Sequence, residues 1–165
     1  MLVNKTQPAF FAIQFKTNEK EQLLNEIKNV FPGPNLTWYP LQKIHLTLCY
    51  CPQLPNTITN QQFDFITNFK IITTKLAAYE ANSQLVLETK TTQSLLLLRK
   101  QIISKLKIEN VAFDQKQFKP HISLAFPNKE LKLTKSMPIA QQLTIEKILM
   151  LKANNPGLLR YVAII

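Results

Sequence analysis

The chain has two histidines, His45 and His121, and both sit in the same local frame. Lys43-Ile44-His45-Leu46-Thr47-Leu48 and Lys119-Pro120-His121-Ile122-Ser123-Leu124 each place a lysine two residues before the histidine. Each has a hydroxyl two residues after it and a leucine three after. In a β-strand, residues two apart share a face and those between them point the other way. His45 and Thr47 would then share one face while Ile44, Leu46 and Leu48 bury on the other. His121 and Ser123 repeat this over Phe118, Ile122 and Leu124. Serine and threonine are 19 of the 165 residues. For both histidines to fall in this frame by chance is on the order of one in a thousand, which weighs against two ordinary half-buried strands that each carry a polar pair.

Imidazoles titrate near neutrality and suit an acid–base couple. One, neutral, takes a proton from water or a hydroxyl; the other, protonated, gives one to a leaving oxygen. Phosphodiester cleavage needs these roles on opposite sides of phosphorus, because attacking and leaving groups lie roughly in line. The Thr47 and Ser123 hydroxyls would donate to the non-bridging oxygens as charge builds there. The catalytic candidates are His45, Thr47, His121 and Ser123, with neither metal nor cofactor expected. If the strands extend back far enough, Lys43 and Lys119 face the same cleft and add positive potential.

Other chemistries fit poorly. With only Gly33 and Gly157, no glycine-rich phosphate loop can be built. A Ser–His–Asp triad leaves the duplicated frame unexplained. Ten scattered acidic residues do not suggest a paired-carboxylate site. His45 and Cys49 are four residues apart, ~13 Å along a strand, too far to share one metal ion.

Each histidine strand needs an element to hold it. Residues 9–15 read as a buried strand. A capping-box pattern at Thr17-Asn18 with Glu21 opens a helix carrying Leu23, Leu24, Ile27, Val30 and Phe31, and Pro32-Gly33-Pro34 stops it. Residues 35–42 read as a connector into the first histidine strand, which Pro52 and Pro55 end. A short helix is expected over 61–68. Strands are expected over 69–80 and 84–89 about a turn at Ala81-Asn82-Ser83. Thr91–Lys107 reads as a second amphipathic helix, with Leu95, Leu98, Ile102, Ile103 and Leu106 on its apolar side. The second histidine strand spans 117–126 and Pro127 ends it. A lysine-rich loop follows over 128–139, then strands 142–152 and 158–165 about the turn Asn154-Asn155-Pro156-Gly157. Each half thus runs strand, helix, histidine strand. The layout predicts one internally duplicated α+β domain over 1–165, with the two histidine strands meeting at a central cleft.

The net charge of +10 points to an anionic partner such as RNA or a nucleotide, against the plain reading of a lysine-rich solvated surface. No apolar run approaches the ~18–20 residues a membrane helix needs, and no secretory pattern is evident at the N-terminus. A cytoplasmic protein that makes no membrane contact is expected. Cys49 and Cys51 are expected to point apart on their strand and not to bridge.

At the histidine motifs the chain resembles the two-histidine phosphoesterases. Within them it is most similar to the LigT-type RNA 2′,3′-cyclic phosphodiesterases, also called 2′-5′ RNA ligases. Ile44-His45-Leu46-Thr47-Leu48 and Phe118-Lys119-Pro120-His121-Ile122-Ser123-Leu124-Ala125 match the twin signatures. Phe10-Phe11-Ala12-Ile13 is similar to the opening strand, and Pro156-Gly157 with Tyr161 to the closing turn and strand. The resemblance implies two pseudo-symmetric lobes, each an antiparallel sheet with outer helices, around a central cleft. It implies His45 as proton donor, His121 as the base that activates water, and a 2′-phosphate product. Phe11 and Tyr161 join Lys43 and Lys119 as candidate substrate-binding residues, and a monomer is expected. Two positions depart from the pattern: Phe126 stands where many LigT-like members have a basic residue, and Cys51 where a glycine is usual. Two readings from the same superfamily stand beside this one, a 2′,5′-oligonucleotide phosphodiesterase and an RNA 3′-end exonuclease. A non-catalytic RNA-binding module is the third.

Overall fold

The apolar run at 9–15 extends back to form strand β1 (Thr6–Phe15). Its two faces are both covered, Phe11, Ile13 and Phe15 by the main core and Phe10 and Ala12 by a smaller cluster with Leu151, so it shows no polar alternation. A computed structural model of the chain describes residues 6–31, 36–63, 65, 67–79, 84–127, 137–153 and 161–163. The expected turns at Pro32-Gly33-Pro34, Ala81-Asn82-Ser83 and Asn154–Gly157, and most of the lysine-rich loop, lie outside these residues.

Helix α1 (Thr17–Val30) follows β1 and buries Leu23, Leu24 and Ile27. Its N-cap lies two residues before the expected one at Asn18. Lys16 takes the N-cap position without a side-chain hydrogen bond, and the first-turn carboxylate of Glu19 accepts from both the backbone N–H and the hydroxyl of Thr144. The helix start is therefore held by a tertiary contact, which sequence capping rules do not see. Strand β2 (Leu36–Trp38) lies inside the stretch read as a connector. Strand β3 (His45–Pro55) carries the first histidine, β4 (Lys70–Tyr79) and β5 (Gln84–Thr89) follow, and helix α2 spans Gln93–Ile108. Thr92 caps α2 by accepting from the Leu95 N–H, as side-chain capping predicts. Strands β6 (His121–Pro127), β7 (Met137–Pro138), β8 (Gln142–Ala153) and β9 (Tyr161–Ala163) complete the described chain. The helix expected over 61–68 is instead a single 3₁₀ turn at Asn60–Phe63.

The sheet order is β7-β4-β5-β6-β3-β1-β8-β9, with β2 pairing on β6 off this path, and every pairing is antiparallel. Outward from the β3/β6 junction the order is symmetric: β3-β1-β8-β9 on one side and β6-β5-β4-β7 on the other. The chain segments β1-α1-β3 and β5-α2-β6 are the matching units, which is the duplicated α+β arrangement of two lobes. β4 and β8 also pair with each other, through Lys70↔Thr144, Ile71↔Leu143 and Ile72↔Gln142. The sheet is therefore curled, and both helices pack their apolar stripes on one of its faces.

Pro52 does not end its strand. Gln7 pairs with Leu54 and Ala9 with Cys51, so Pro8 on one strand meets Pro52 and Gln53 on the other in a bulge. A bulge needs no ladder N–H at these positions, and proline has none to offer. Cys49 and Cys51 are not turned apart: two residues apart in a strand, they share the core face opposite Phe11 and Ala9. Both are free thiols, and that of Cys49 donates to the Tyr50 carbonyl at 3.9 Å. No helix among the described residues is long and apolar enough to cross a membrane.

Candidate active site

Leu46 pairs with Ile122 across the β3/β6 junction. Continued by one residue each way, that register sets His45 opposite Ser123 and Thr47 opposite His121, all on the face away from the core. Leu46, Leu48, Ile122 and Leu124 are all but fully buried beneath them. Diagonal partners on an ideal antiparallel ladder lie roughly 7–8 Å apart, which leaves the two imidazoles room for a phosphate between them. On that continuation each histidine would face the other motif's hydroxyl, and the four groups would follow the same two-fold symmetry as the sheet.

The backbone before each strand orients its ring. His121 Nδ1 lies 2.8 Å from the Lys119 carbonyl. A carbonyl only accepts, so Nδ1 carries the proton and Nε2 is left with its lone pair when the ring is neutral. The backbone of Lys43 also favours the protonated His45 ring, raising its pKa, but only His121 shows the Nδ1–carbonyl bond. Lys119 thus serves the site through its main chain. Neither lysine lies on a strand, contrary to the expectation that the strands extend back to them. Lys43 ends a 3₁₀ turn, Leu41–Lys43, and Lys119 precedes β6, with an exposed side chain. The buried ammonium of Lys20 on α1 donates to the Leu41 carbonyl at 3.0 Å and fixes that turn.

The two histidines differ in surroundings. His45 is half-buried and stacks on Phe10 with ring centroids 5.2 Å apart. It opens on a cavity of about 270 Å³ whose lining includes Ala12, Gln14, Lys43, Leu149 and Leu151. Burial lowers its pKa to about 4; the bond to Lys43 opposes this, and the charges of His121 and Lys20 add to it. In the free protein at pH 7 His45 is therefore neutral. His121 borders two other cavities. One, of about 200 Å³, it shares with Thr47, Tyr50, Arg99 and Asp114. The other, of about 430 Å³, it shares with Glu88, Thr91, Gln117 and Lys119. Glu88 pairs with His121 across β5/β6 and forms an ion pair with Lys75 at 3.4 Å. The equivalent neighbour of His45 is Gln14, so a carboxylate accompanies one histidine and a neutral amide the other. The Ser123 hydroxyl donates to Gln84 Oε1 at 3.3 Å, and Gln84 Nε2 donates to the Tyr39 hydroxyl at 3.1 Å.

The structure corrects one aromatic. Phe11, a candidate for substrate binding, points into the core against Phe63 with ring centroids 4.5 Å apart and is fully buried. Phe10 is the residue on the histidine face. In a strand covered on both sides, composition does not say which of two adjacent phenylalanines faces the cleft; only register does. Tyr161 pairs by its backbone with Ala153 in β9, and its side chain lies outside the described residues. Nothing in the sequence marks Tyr39, Gln84 and Glu88 as part of the site. Their link to it is pairing between strands, for which a single chain carries no local signal.

Neither a protein-family profile nor a curated protein sequence matches the chain. Solved structures do. E. coli LigT complexed with 3′-AMP matches with a TM-score of 0.71 at 17% identity, over 96% of this chain and 95% of that one. TT0787 of Thermus thermophilus matches at 0.72 and 15%, over 96% and 95%. The PDE domain of MHV ns2 matches at 0.56 and 14%, over 88% and 98%. At these identities the likeness establishes a shared fold, and the chain has the fold of LigT.

Proposed function

We propose that this LigT-fold chain is a two-histidine phosphodiesterase that opens 2′,3′-cyclic phosphate at RNA ends or in small nucleotides to a 2′-phosphate. Ligation to a 2′-5′ linkage would be the same displacement of the 3′-oxygen with a 5′-hydroxyl attacking in place of water. The observation that carries the reading is the register of β3 and β6. Continued along both strands it would set two imidazoles and two hydroxyls on one face around the Leu46–Ile122 pair, and the His121 ring is tied at the Lys119 carbonyl. E. coli LigT has also been crystallised with ATP and with NADP+, so relatives of this fold accept nucleotides.

In the proposed reaction His121, through Nε2, removes a proton from the attacking water. His45 protonates the leaving 3′-oxygen, and Thr47 and Ser123 donate to the non-bridging oxygens. His45 must gain a proton first, which its surroundings in the free protein deny it. A phosphate charge about 4 Å away, at an effective dielectric constant of about 20, is worth about 4 kcal/mol, or about three pKa units. That raises His45 from about 4 toward neutrality once substrate is bound, so the donor is charged by its own substrate.

The test is incubation with adenosine 2′,3′-cyclic phosphate, an RNA with a cyclic-phosphate end and 2′-5′ oligoadenylate, in the presence of EDTA, with products identified by mass spectrometry. Turnover of none of them would sink the reading. His45→Ala and His121→Ala should each lower kcat by at least about a hundredfold, within the usual range for a lost acid or base. On a p-nitrophenyl diester, whose leaving group needs no proton, His45→Ala should recover most of its rate and His121→Ala should not. The opposite pattern would exchange the two roles.

A further inference from the structure

The segment that delivers each histidine, and the bulge that follows it, carry backbone carbonyls satisfied from outside the sheet ladder. The donors that satisfy them differ in charge. Around His45 both are cations sent from the helices. Lys20 of α1 donates through Nζ to the Leu41 carbonyl at 3.0 Å, four residues before the ring. Arg99 of α2 donates through Nε to the Leu48 carbonyl at 3.0 Å, three residues after it. Leu48 is an extra residue on β3, since Ala12 pairs with Thr47 and Phe11 with Cys49. Around His121 the donors are neutral. The Thr89 N–H and hydroxyl hold the Pro120 carbonyl at 3.1 and 3.2 Å. Leu124 is the extra residue on β6, between the pairs Val86–Ser123 and Leu85–Ala125, and its carbonyl accepts from the Tyr39 N–H at 2.9 Å. Neutral donors therefore suffice to hold a histidine strand.

Of the two cations, Lys20 breaks more local rules. Its side chain is only 2% exposed. It lies one turn from the N-terminus of α1, where the helix dipole disfavours positive charge, and the group it reaches is a neutral carbonyl. Burial pushes its amine below the usual lysine range; Glu146 on β8 favours the ammonium and Lys147 on the same strand opposes it. A buried charge can often be replaced by an apolar side chain of similar volume without loss of stability, so stability does not explain why it is there.

Its effect is local to the site. The Leu41 carbonyl also accepts from the Ile44 N–H at 3.2 Å, the last bond of the 3₁₀ turn, and Ile44 directly precedes His45. The ammonium thus pins the peptide from which the ring departs. Its charge reaches the ring as well. Burial does most to keep His45 neutral, the Lys43 backbone opposes this, and the charges of His121 and Lys20 reinforce it. Lys43 lines the same cavity, and the other neighbours of the ring, Phe10, Gln14, Leu149 and Leu151, are uncharged.

We propose that Lys20 is a positioning residue for the proton donor: its buried ammonium fixes the turn from which His45 enters the cleft and so aligns the ring with the leaving oxygen. The proposal rests on the phosphodiesterase reading, in which His45 is the acid.

Lys20→Met keeps the apolar stem and removes the donor and the charge, while the Leu41 carbonyl keeps the Ile44 N–H. The experiment compares wild type, Lys20→Met, His45→Ala and the double variant on adenosine 2′,3′-cyclic phosphate and on a p-nitrophenyl diester, with thermal melts of each protein. Lys20→Met should melt at or above the wild-type temperature. On the cyclic phosphate its kcat should fall about tenfold at a KM within about twofold, a part of the hundredfold or more that an acid contributes. On the p-nitrophenyl diester, whose leaving group needs no proton, its rate should stay within about twofold of wild type. In the His45→Ala background Lys20→Met should lower kcat no further, because the ring it aligns is gone. The chain has two histidines, so the His45 ring is assigned in NMR spectra by its loss in His45→Ala. In free Lys20→Met that ring should titrate above the wild-type value of about 4. With substrate bound the donor is already charged, so this gain adds nothing and kcat reads the lost alignment. Loss of the fold, an equal loss on both esters, or a ring that titrates as in wild type would each overturn the proposal. A folded Lys20→Met that matches wild type on both esters overturns it too and leaves the phosphodiesterase standing. A wild type that turns over neither ester sinks the phosphodiesterase reading, and this role for Lys20 with it.

Discussion

At the scale of single residues, the site is two equal histidines made unequal by their neighbours. Phe10, Leu149 and Leu151 crowd His45, while Glu88 and open cavities accompany His121. This asymmetry is visible in stability as well as in rate. The unfolded His45 titrates near 6.5 and the folded one near 4, so between these values the unfolded chain binds more protons. Above pH 6.5 both states are neutral there and nothing is lost; as pH falls from 6.5 to about 4, stability drains away. Carboxylates such as Glu19, which the Thr144 hydrogen bonds hold below its usual range despite burial, lose stability on the same acid side, so the difference between proteins is the measure. His45→Gln should lose less Tm than wild type over that window in buffered thermal melts. Parallel curves would mean that the ring is not desolvated.

At the scale of elements, the histidine strands depend on what the helices deliver. Arg99 on α2 reaches the Leu48 carbonyl at the first bulge and is covered by the Phe118 ring, 4.8 Å from its guanidinium. Arg99→Met keeps much of the apolar stem but leaves that carbonyl without its donor, at a cost of about 1–3 kcal/mol. Urea titration should show that loss as a lower midpoint at an unchanged slope. A midpoint equal to wild type would mean that another donor closes the bulge. Both histidine strands, both helices and the strands before them could be read from hydrophobic periodicity, because each is a local pattern of three or more turns or alternations. The capping box, the 61–68 helix and the end of β3 at Pro52 could not. Glu19–Thr144, the Asn60–Phe63 turn and the paired prolines at the bulge are set by distant segments that outweigh local propensity.

At the scale of the molecule, the +10 charge meets a cleft whose neighbourhood includes Lys43, Arg99, Lys116 and Lys119. A polyanion should feel that field far more than a mononucleotide does, because only contacts to several phosphates release several counterions. Raising salt from about 50 to about 200 mM should therefore cut kcat/KM on an RNA with a cyclic-phosphate end steeply, and on adenosine 2′,3′-cyclic phosphate only slightly. Equal salt slopes would confine the recognised portion to one nucleotide.

The four groups proposed for the chemistry were legible in the chain by itself, since a histidine and a hydroxyl two residues apart on a strand share a face whatever the rest of the protein does. So was the duplicated order of strand, helix and histidine strand. Which residues surround the quartet was decided only by the tertiary structure. Antiparallel pairing at Leu46–Ile122 brought the two histidine strands together. Pairing also brought Glu88 and Gln14 beside different histidines, and chose Phe10 over Phe11 for the cleft. The bulges at Leu48 and Leu124 turned Tyr50 and Phe126 outward. The reason is the two-residue period of a strand: one extra residue exchanges its faces, and whether that residue is accommodated depends on the partner strand rather than on the strand itself.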